Sequence, residues 1–298
     1  MIGISKLYCG TVEASDPLRY GRHSGRLPSH LLQFSEDKKP VVVWNMGQRC
    51  NLKCVHCYSH SADREYAGEL TTAEGKALIE DLARFGSPVM LFSGGEPLLR
   101  KDLLELATLA TERGMRAVLS TNGTLITREK ARDLKRIGLS YVGVSLDGME
   151  GTHDRFRGVK GAFASALAGI RNCQEAGIKV GLRFTINRRN FGEVAGIFDL
   201  LEKESIPRVC FYHLVYAGRG SRLIREGLEH AETRRVVDVI IDRTRELQER
   251  RPSTEVLTVD NHCDGPYLYL RMLREGSKRS GDVLELLRMN GGNSSGVG

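Results

Sequence analysis

No stretch of the 298-residue sequence approaches the roughly 18 consecutive apolar residues that a membrane span needs. The N-terminus, MIGISKLYCG, lacks the long apolar core of a secretory signal. A cytoplasmic protein with no membrane partner is therefore expected. Internal repeats and low-complexity tracts are also missing. Hydrophobic residues make up 41% of the chain and charged residues 27%, which argues against global disorder. A chain of this length buries most of its unfolded surface without disulfide staples. The seven cysteines are an odd number, and three of them fall within eight residues. That pattern speaks against a disulfide framework and for metal binding or redox chemistry. Lys and Arg number 44 against 37 Asp and Glu, a net charge of +7. The excess suits a polyanionic partner, either nucleic acid or a carboxylate-rich small molecule. Because the charges are scattered, it equally suits a basic solvated surface.

Residues 1–40 show no clear period and read as an irregular N-terminal extension. From Val41 a regular alternation begins. β-rich runs at 41–46, 88–94, 116–123, 141–148, 179–186 and 208–215 alternate with helical stretches near 72–85, 101–113, 127–137, 161–176, 191–205 and 232–250. In 161–176, Phe163, Ala166, Leu167, Ile170 and Cys173 line one helical face. Thr71 or Thr72 with Glu74 looks like a helix start, and Gly114, Gly138 and Gly177 sit where helices should stop. Cys173 and Cys210 read as core residues. Such β-then-α units imply a parallel sheet with helical crossovers. No GxGxxG follows the first strand, so a dinucleotide-binding sheet is disfavoured. The fold class expected is α/β, a partial (β/α)6 barrel over 41–250. Residues 251–298 form a short C-terminal extension, with one more strand near 255–260 and a helix near 280–289.

In parallel β/α folds the chemistry sits where strands end. Here the strand ends carry Asn45, Ser93-Gly94-Gly95-Glu96-Pro97, Ser120 and Asn122, Ser145 and Asp147, Asn187 and Arg188, and His213. Alternation gives 179–187 an apolar face (Leu182, Phe184, Ile186) and a polar one (Arg183, Thr185, Asn187). The polar face should line a ligand cavity. After the first strand comes Cys50-Asn-Leu-Lys-Cys54-Val-His-Cys57. A structural zinc site wants four ligands, with His56 or His60 near enough to supply the fourth. Three thiolates also suit a cubane iron–sulfur cluster with one iron left open.

The C-x3-C-x2-C spacing, with Gly-Gly-Glu-Pro ending the next strand, resembles the radical S-adenosylmethionine superfamily over about 40–250. The resemblance implies one 4Fe–4S cluster on Cys50, Cys54 and Cys57, with S-adenosylmethionine chelated by the open iron. It implies that Gly94 and Gly95 permit close backbone approach and that Glu96 receives the methionine ammonium. His56 would lie by the adenine. Ser120, Asn122, Ser145 and Asp147 become candidates for ribose and carboxylate contacts, and Arg183 and Arg157 for the methionine carboxylate. One electron from a low-potential donor would cleave the sulfonium and yield a radical that abstracts hydrogen from substrate.

Further segments, among them ISKLYCGTVE (4–13), HDRFRG (153–158), FYHLVYAGRG (211–220) and TVDNH (258–262), resemble the superfamily's branch of alternative haem and haem d1 biosynthesis. That implies a siroheme-derived tetrapyrrole substrate and removal of acetate side chains to give iron-coproporphyrin III. A sibling activity in the branch removes propionates. Arg19, Arg22, His23, Arg26 and His30 are a basic stretch suited to the substrate carboxylates. His213, at a strand end expected to face the cavity, is a candidate to contact substrate or its iron. Branch members usually continue into a cysteine-bearing region with an auxiliary cluster. No second cysteine set is present here, so a single cluster is expected. A peptide-maturing radical enzyme and a zinc or nucleic-acid-binding module are the competing readings.

Overall fold

The computed structural model describes residues 1–11, 39–289 and 292. In chain order the elements are β1 (Ile2–Gly3), α1 (Ile4–Cys9), β2 (Val42–Asn45), α2 (Thr72–Phe85), β3 (Val89–Ser93), α3 (Leu103–Glu112), β4 (Arg116–Thr121), α4 (Arg128–Arg136) and β5 (Tyr141–Ser145). There follow α5 (Glu150–Arg157), α6 (Ala162–Glu175), β6 (Lys179–Ile186), α7 (Val194–Lys203), β7 (Arg208–His213), α8 (His230–Arg250), β8 (Glu255–Val259), α9 (Asp264–Arg274) and α10 (Ser280–Met289). Every strand and helix expected between 41 and 250 is present, with ends shifted by a few residues. The strand order is β1-β8-β7-β6-β5-β4-β3-β2. Strands β2 to β6 pair in parallel, β7 pairs β8 in parallel, and β1 pairs β8 antiparallel. The α/β class with crossover helices is as expected; β8 is the further strand expected near 255–260, and β1 is additional.

The chain groups into two compact units. One unit comprises Lys39–Phe184 with Leu214–Gly227, and the other draws on Met1–Lys38, Thr185–His213 and Leu228–Gly298.

In the first unit the helices start and stop on local chemistry. Thr71 and Glu74 form a capping box at the start of α2, each side chain bonding the other's backbone N–H. Gly114, Gly138 and Gly177 end their helices with φ near +78°, +79° and +70°, the left-handed conformation glycine adopts without strain. Ile79, Phe92, Val142, Val144, Ala166, Ile170, Cys173 and Leu182 are fully buried, so the apolar strand faces meet the helices. A Cβ on Gly169 would stand 2.3 Å from the Gly123 carbonyl oxygen, so only glycine lets α6 approach the end of β4 this closely.

In the second unit α7 covers β7 through Phe198 and Phe211, whose rings stack at 5.6 Å. Helix α8 buries Val236, Val237, Ile240, Ile241 and Leu247, and Cys210 is core. The irregular N-terminal extension is corrected for residues 2–9, which form β1 and α1. Ile2 pairs with Thr258, and the Val256 N–H donates to Ser5 Oγ at 3.0 Å. Ile2, Ile4 and Leu7 are buried. A two-residue strand has no sequence period, and its partner lies some 250 residues away. After residue 250 the strand expected near 255–260 is β8 and the helix expected near 280–289 is α10, and α9 is additional.

Candidate active site

The cysteine loop leaves β2 and is gripped by the end of β3. Met46 N–H donates to Ser93 O (3.0 Å), Gly95 N–H to Gly47 O (2.7 Å) and Glu96 N–H to Arg49 O (2.8 Å). A Cβ on Gly94, whose φ is +138°, would lie 2.3 Å from Gly47 O, and one on Gly95 2.3 Å from Arg49 O. The close approach these glycines permit is therefore that of the chain's own 47–49 backbone. Glu96 is 3% exposed and its carboxylate is largely occupied. Oε1 accepts from Leu98 N (3.1 Å) and Thr121 Oγ1 (2.7 Å), and Oε2 accepts from Asn122 N (2.8 Å). Burial raises the Glu96 carboxyl above the usual range, and these donors pull it part of the way back.

Each cysteine sulfur meets a donor. Cys50 Sγ accepts from Leu52 N (3.4 Å), and Asn122 Nδ2 stands 3.9 Å away. Cys54 Sγ accepts from Arg157 Nη1 (3.5 Å), and Cys57 Sγ lies 3.3 Å from Ser59 Oγ. Burial pushes the Cys50 thiol up to about 11 and raises Cys54 as well. At Cys57 burial also pushes up, but hydrogen bonds from Ser59 and Ser61 outweigh it and the thiol falls below its usual value. Among the described residues no three His, Cys, Asp or Glu side chains stand as a group for a single metal ion. Three thiols on one loop, near enough to raise one another's pKa and each supplied with a donor, fit an iron–sulfur cluster, whose sulfurs take hydrogen bonds.

Beneath the loop lies a buried charged set. Asp147 is 0% exposed and Arg157 7%, and Arg157 Nη2 pairs with Asp147 Oδ2. His56 Nε2 is 3.6 Å from the same oxygen, and its ring stacks on Phe156 at 4.5 Å. Burial lowers His56 to about 4, so the ring is neutral at pH 7. His153 Nδ1 accepts the Asp147 N–H at 3.0 Å. Asp147, Arg157 and Asn122, expected among the cofactor contacts, each make polar contacts within the chain. Asn122 Nδ2 donates to Asn51 Oδ1 (2.9 Å) and its Oδ1 accepts from Thr124 N (2.9 Å).

Ser120, Ser145 and Arg183 are placed differently. All three are half-buried, and the register sets Ser120 opposite Gly143 and Ser145 opposite Arg183. A Cβ on Gly143 would stand 3.1 Å from Arg183 Cδ, so the glycine leaves room for the arginine stem to lie across β5. These side chains form the polar strand face that alternation predicts. A 390 Å³ cavity is lined by Asn45, Met46, Gly47, Ser59 and Gly94 among others, and none of the three is among its lining residues.

Sequence reasoning missed Arg219. Its Nε donates to Cys54 O (2.7 Å), its Nη1 to Ser61 O (2.7 Å) and its backbone N–H to Cys57 O (2.8 Å). Adjacent Gly218 has φ +57°, and a Cβ there would meet Tyr58 O at 2.2 Å. The stretch AGRG was visible, but the partner loop was not. His213 belongs to the second unit, where Nε2 bonds Asp264 Oδ2 at 2.8 Å. It shares its strand face with Phe211, which stacks on Phe198, so alternation sets it on the helix-covered side and not on the cavity side expected. Arg19, Arg22, His23, Arg26 and His30 lie outside the described residues.

Residues 44–201 match the Radical SAM superfamily. The match covers more than half of the sequence, and the chain belongs to that superfamily, whose enzymes use a 4Fe–4S cluster and S-adenosylmethionine. The chain is 69% identical over all 298 residues to the Fe-coproporphyrin III synthase of Methanosarcina barkeri, spanning 75% of that protein. It is 45% identical to the Pre-heme d1 synthase of Dinoroseobacter shibae, over 87% of this chain and 65% of that one. Among solved structures, Streptococcus suis SuiB bound to S-adenosylmethionine shares the fold with a TM-score of 0.63 at 18% identity, over 76% of this chain and 52% of that one. The chain therefore spans 65% to 75% of the length of these two relatives. No helix among the described residues is long and apolar enough to cross a membrane.

Proposed function

We propose that this chain removes the acetate side chains of 12,18-didecarboxysiroheme to give iron-coproporphyrin III. The observation that carries the reading is the 69% identity, along the whole chain, to the protein named Fe-coproporphyrin III synthase. When bound, the cluster and S-adenosylmethionine supply one-electron cleavage chemistry that lets hydrogen be taken from a substrate carbon.

The chain's own residues have separate tasks. Cys50, Cys54 and Cys57 hold the cluster, and Asn122 and Leu52 orient the Cys50 sulfur. Ser120, Ser145 and Arg183 bind the ribose and the methionine carboxylate, where a guanidinium fork suits a carboxylate. A carboxylate offers about four lone-pair sites. Glu96 spends three of them on the chain and offers the remaining one to the ammonium. His56, neutral at pH 7, sits by the adenine as an apolar stacking surface. The basic stretch Arg19, Arg22, His23 and Arg26 grips the substrate carboxylates. A low-potential electron donor and a cytoplasmic setting complete the proposal.

The test incubates anaerobically reconstituted protein, dithionite and S-adenosylmethionine with 12,18-didecarboxysiroheme and weighs the tetrapyrrole. Loss of two acetate groups is expected. Loss of propionates would move the chain to the haem d1 activity, and an untouched tetrapyrrole with continued cofactor cleavage would overturn the substrate class.

A further inference from the structure

Among the described residues, Cys54 alone of the three loop cysteines has a cationic donor at its sulfur. Arg157 Nη1 stands 3.5 Å from Cys54 Sγ, while Nη2 of the same guanidinium pairs with Asp147. Cys54 and Arg157 are each 7% exposed and Asp147 is 0% exposed, so water screens neither contact. The fork is held from both ends. Arg157 O accepts the Lys53 N–H at 3.0 Å, the Asp147 N–H is bonded to His153, and Gly158 turns the chain at φ +69° with Lys53 O 2.8 Å from where a Cβ would stand. Arginine is the residue type for this task, because one rigid plane of donors reaches a sulfur and a carboxylate together.

We infer that Arg157 is a positioning residue for electron entry: its guanidinium, aimed by Asp147, stabilises the extra negative charge that a cluster on Cys54 takes up on one-electron reduction. The two partners then act with opposite signs. The cation lies against the sulfur and favours the reduced, more negative form. The carboxylate behind it offsets part of that charge and opposes reduction. Hydrogen bonds to sulfur and net local charge are the protein's general levers on cluster potential. Arg157 thus serves the cluster and not the methionine carboxylate. The inference rests on the family's cluster alone and is independent of the tetrapyrrole substrate.

The experiment is an anaerobic redox titration of the reconstituted 298-residue chain without substrate or S-adenosylmethionine, reading the reduced cluster by electron paramagnetic resonance. Sodium dithionite is the one-electron reductant, and iron content is measured in parallel. For Arg157→Gln the reduced-to-oxidised ratio at fixed potential should fall roughly tenfold or more, a downward midpoint shift of about 59 mV per tenfold for a one-electron couple. Arg157→Lys should fall between, because it keeps charge and loses the fork. Asp147→Asn should move the midpoint upward. If Arg157→Gln fails to retain iron, Asp147→Asn decides alone, since its upward shift supports the inference and an unchanged or lower midpoint overturns it. A purely structural ion pair would move both variants the same way or leave both unmoved, and either result sinks the idea.

Discussion

Replacing Glu96 by Gln tests two claims with one change. The carboxylate takes three hydrogen bonds, from Leu98 N–H, Thr121 Oγ1 and Asn122 N–H, at 3.1, 2.7 and 2.8 Å, in a side chain that is 3% exposed. Glutamine keeps the shape but turns one acceptor into a donor. With its oxygen toward Leu98 and Thr121, its NH2 faces the Asn122 N–H, and two donors are left opposed and buried. A buried donor without an acceptor costs about 1–3 kcal/mol. Urea unfolding of Glu96→Gln should therefore show a loss of about 1–3 kcal/mol, with a lower midpoint and an unchanged m value. Glu96→Ala should lose more, because all three donors are orphaned. The second claim concerns the one lone-pair site left over. Losing a single hydrogen bond to an ammonium is worth about 1.5–3 kcal/mol, roughly tenfold to a hundredfold in affinity. Equilibrium binding of S-adenosylmethionine to cluster-loaded Glu96→Gln should weaken by that factor. Unchanged stability would refute the bonding described for the end of β3, and unchanged affinity would remove Glu96 from the cofactor site.

Replacing Cys50, Cys54 and Cys57 together with Ala should abolish the roughly four irons of a cubane in anaerobic reconstitution, and full iron retention would reject the ligand set. Gly218→Ala forces a Cβ to within 2.2 Å of Tyr58 O at a positive φ, so the 218–220 backbone must leave the cysteine loop. A chelator should then strip iron several-fold faster than from the parent, and an equal rate would deny Arg219 and its neighbours a part in holding the loop. His153 is 1% exposed, and burial holds it down at about 4, below its unfolded value near 6.5. The unfolded chain binds the extra proton, so this stability is full above pH 6.5 and is lost as pH falls toward 4. His153→Asn, which retains an acceptor for the Asp147 N–H, should flatten the measured fall in unfolding free energy between pH 6.5 and 5, and an equally steep fall would exclude His153 as its source.

Local chemistry was legible in the sequence wherever neighbours in the chain are also neighbours in space. The capping box at Thr71 and Glu74, the terminating glycines and the apolar helix face through Ala166, Ile170 and Cys173 all depend on residues within a turn or two. The three closely spaced cysteines after β2 and the polar face through Arg183 were legible for the same reason, since a fixed spacing or a period of two needs no distant partner. Tertiary structure decided what each strand-end residue touches. Asp147 and Asn122 look alike as polar residues after a strand, yet one is ion-paired to Arg157 and the other aims its amide at Cys50. Gly94 and Gly95 mark a tight approach, but only the folded chain shows that Gly47 and Arg49 make it. His213 sits at the right end of its strand and pairs with Asp264, 51 residues on. Arg219 reaches back 165 residues to Cys54 O, and β1 exists only because β8 is there to pair with it. Such contacts close long loops, and the position that closes them carries no periodic trace, because hydrogen-bond geometry is set by where backbones meet and not by the order in which residues are joined.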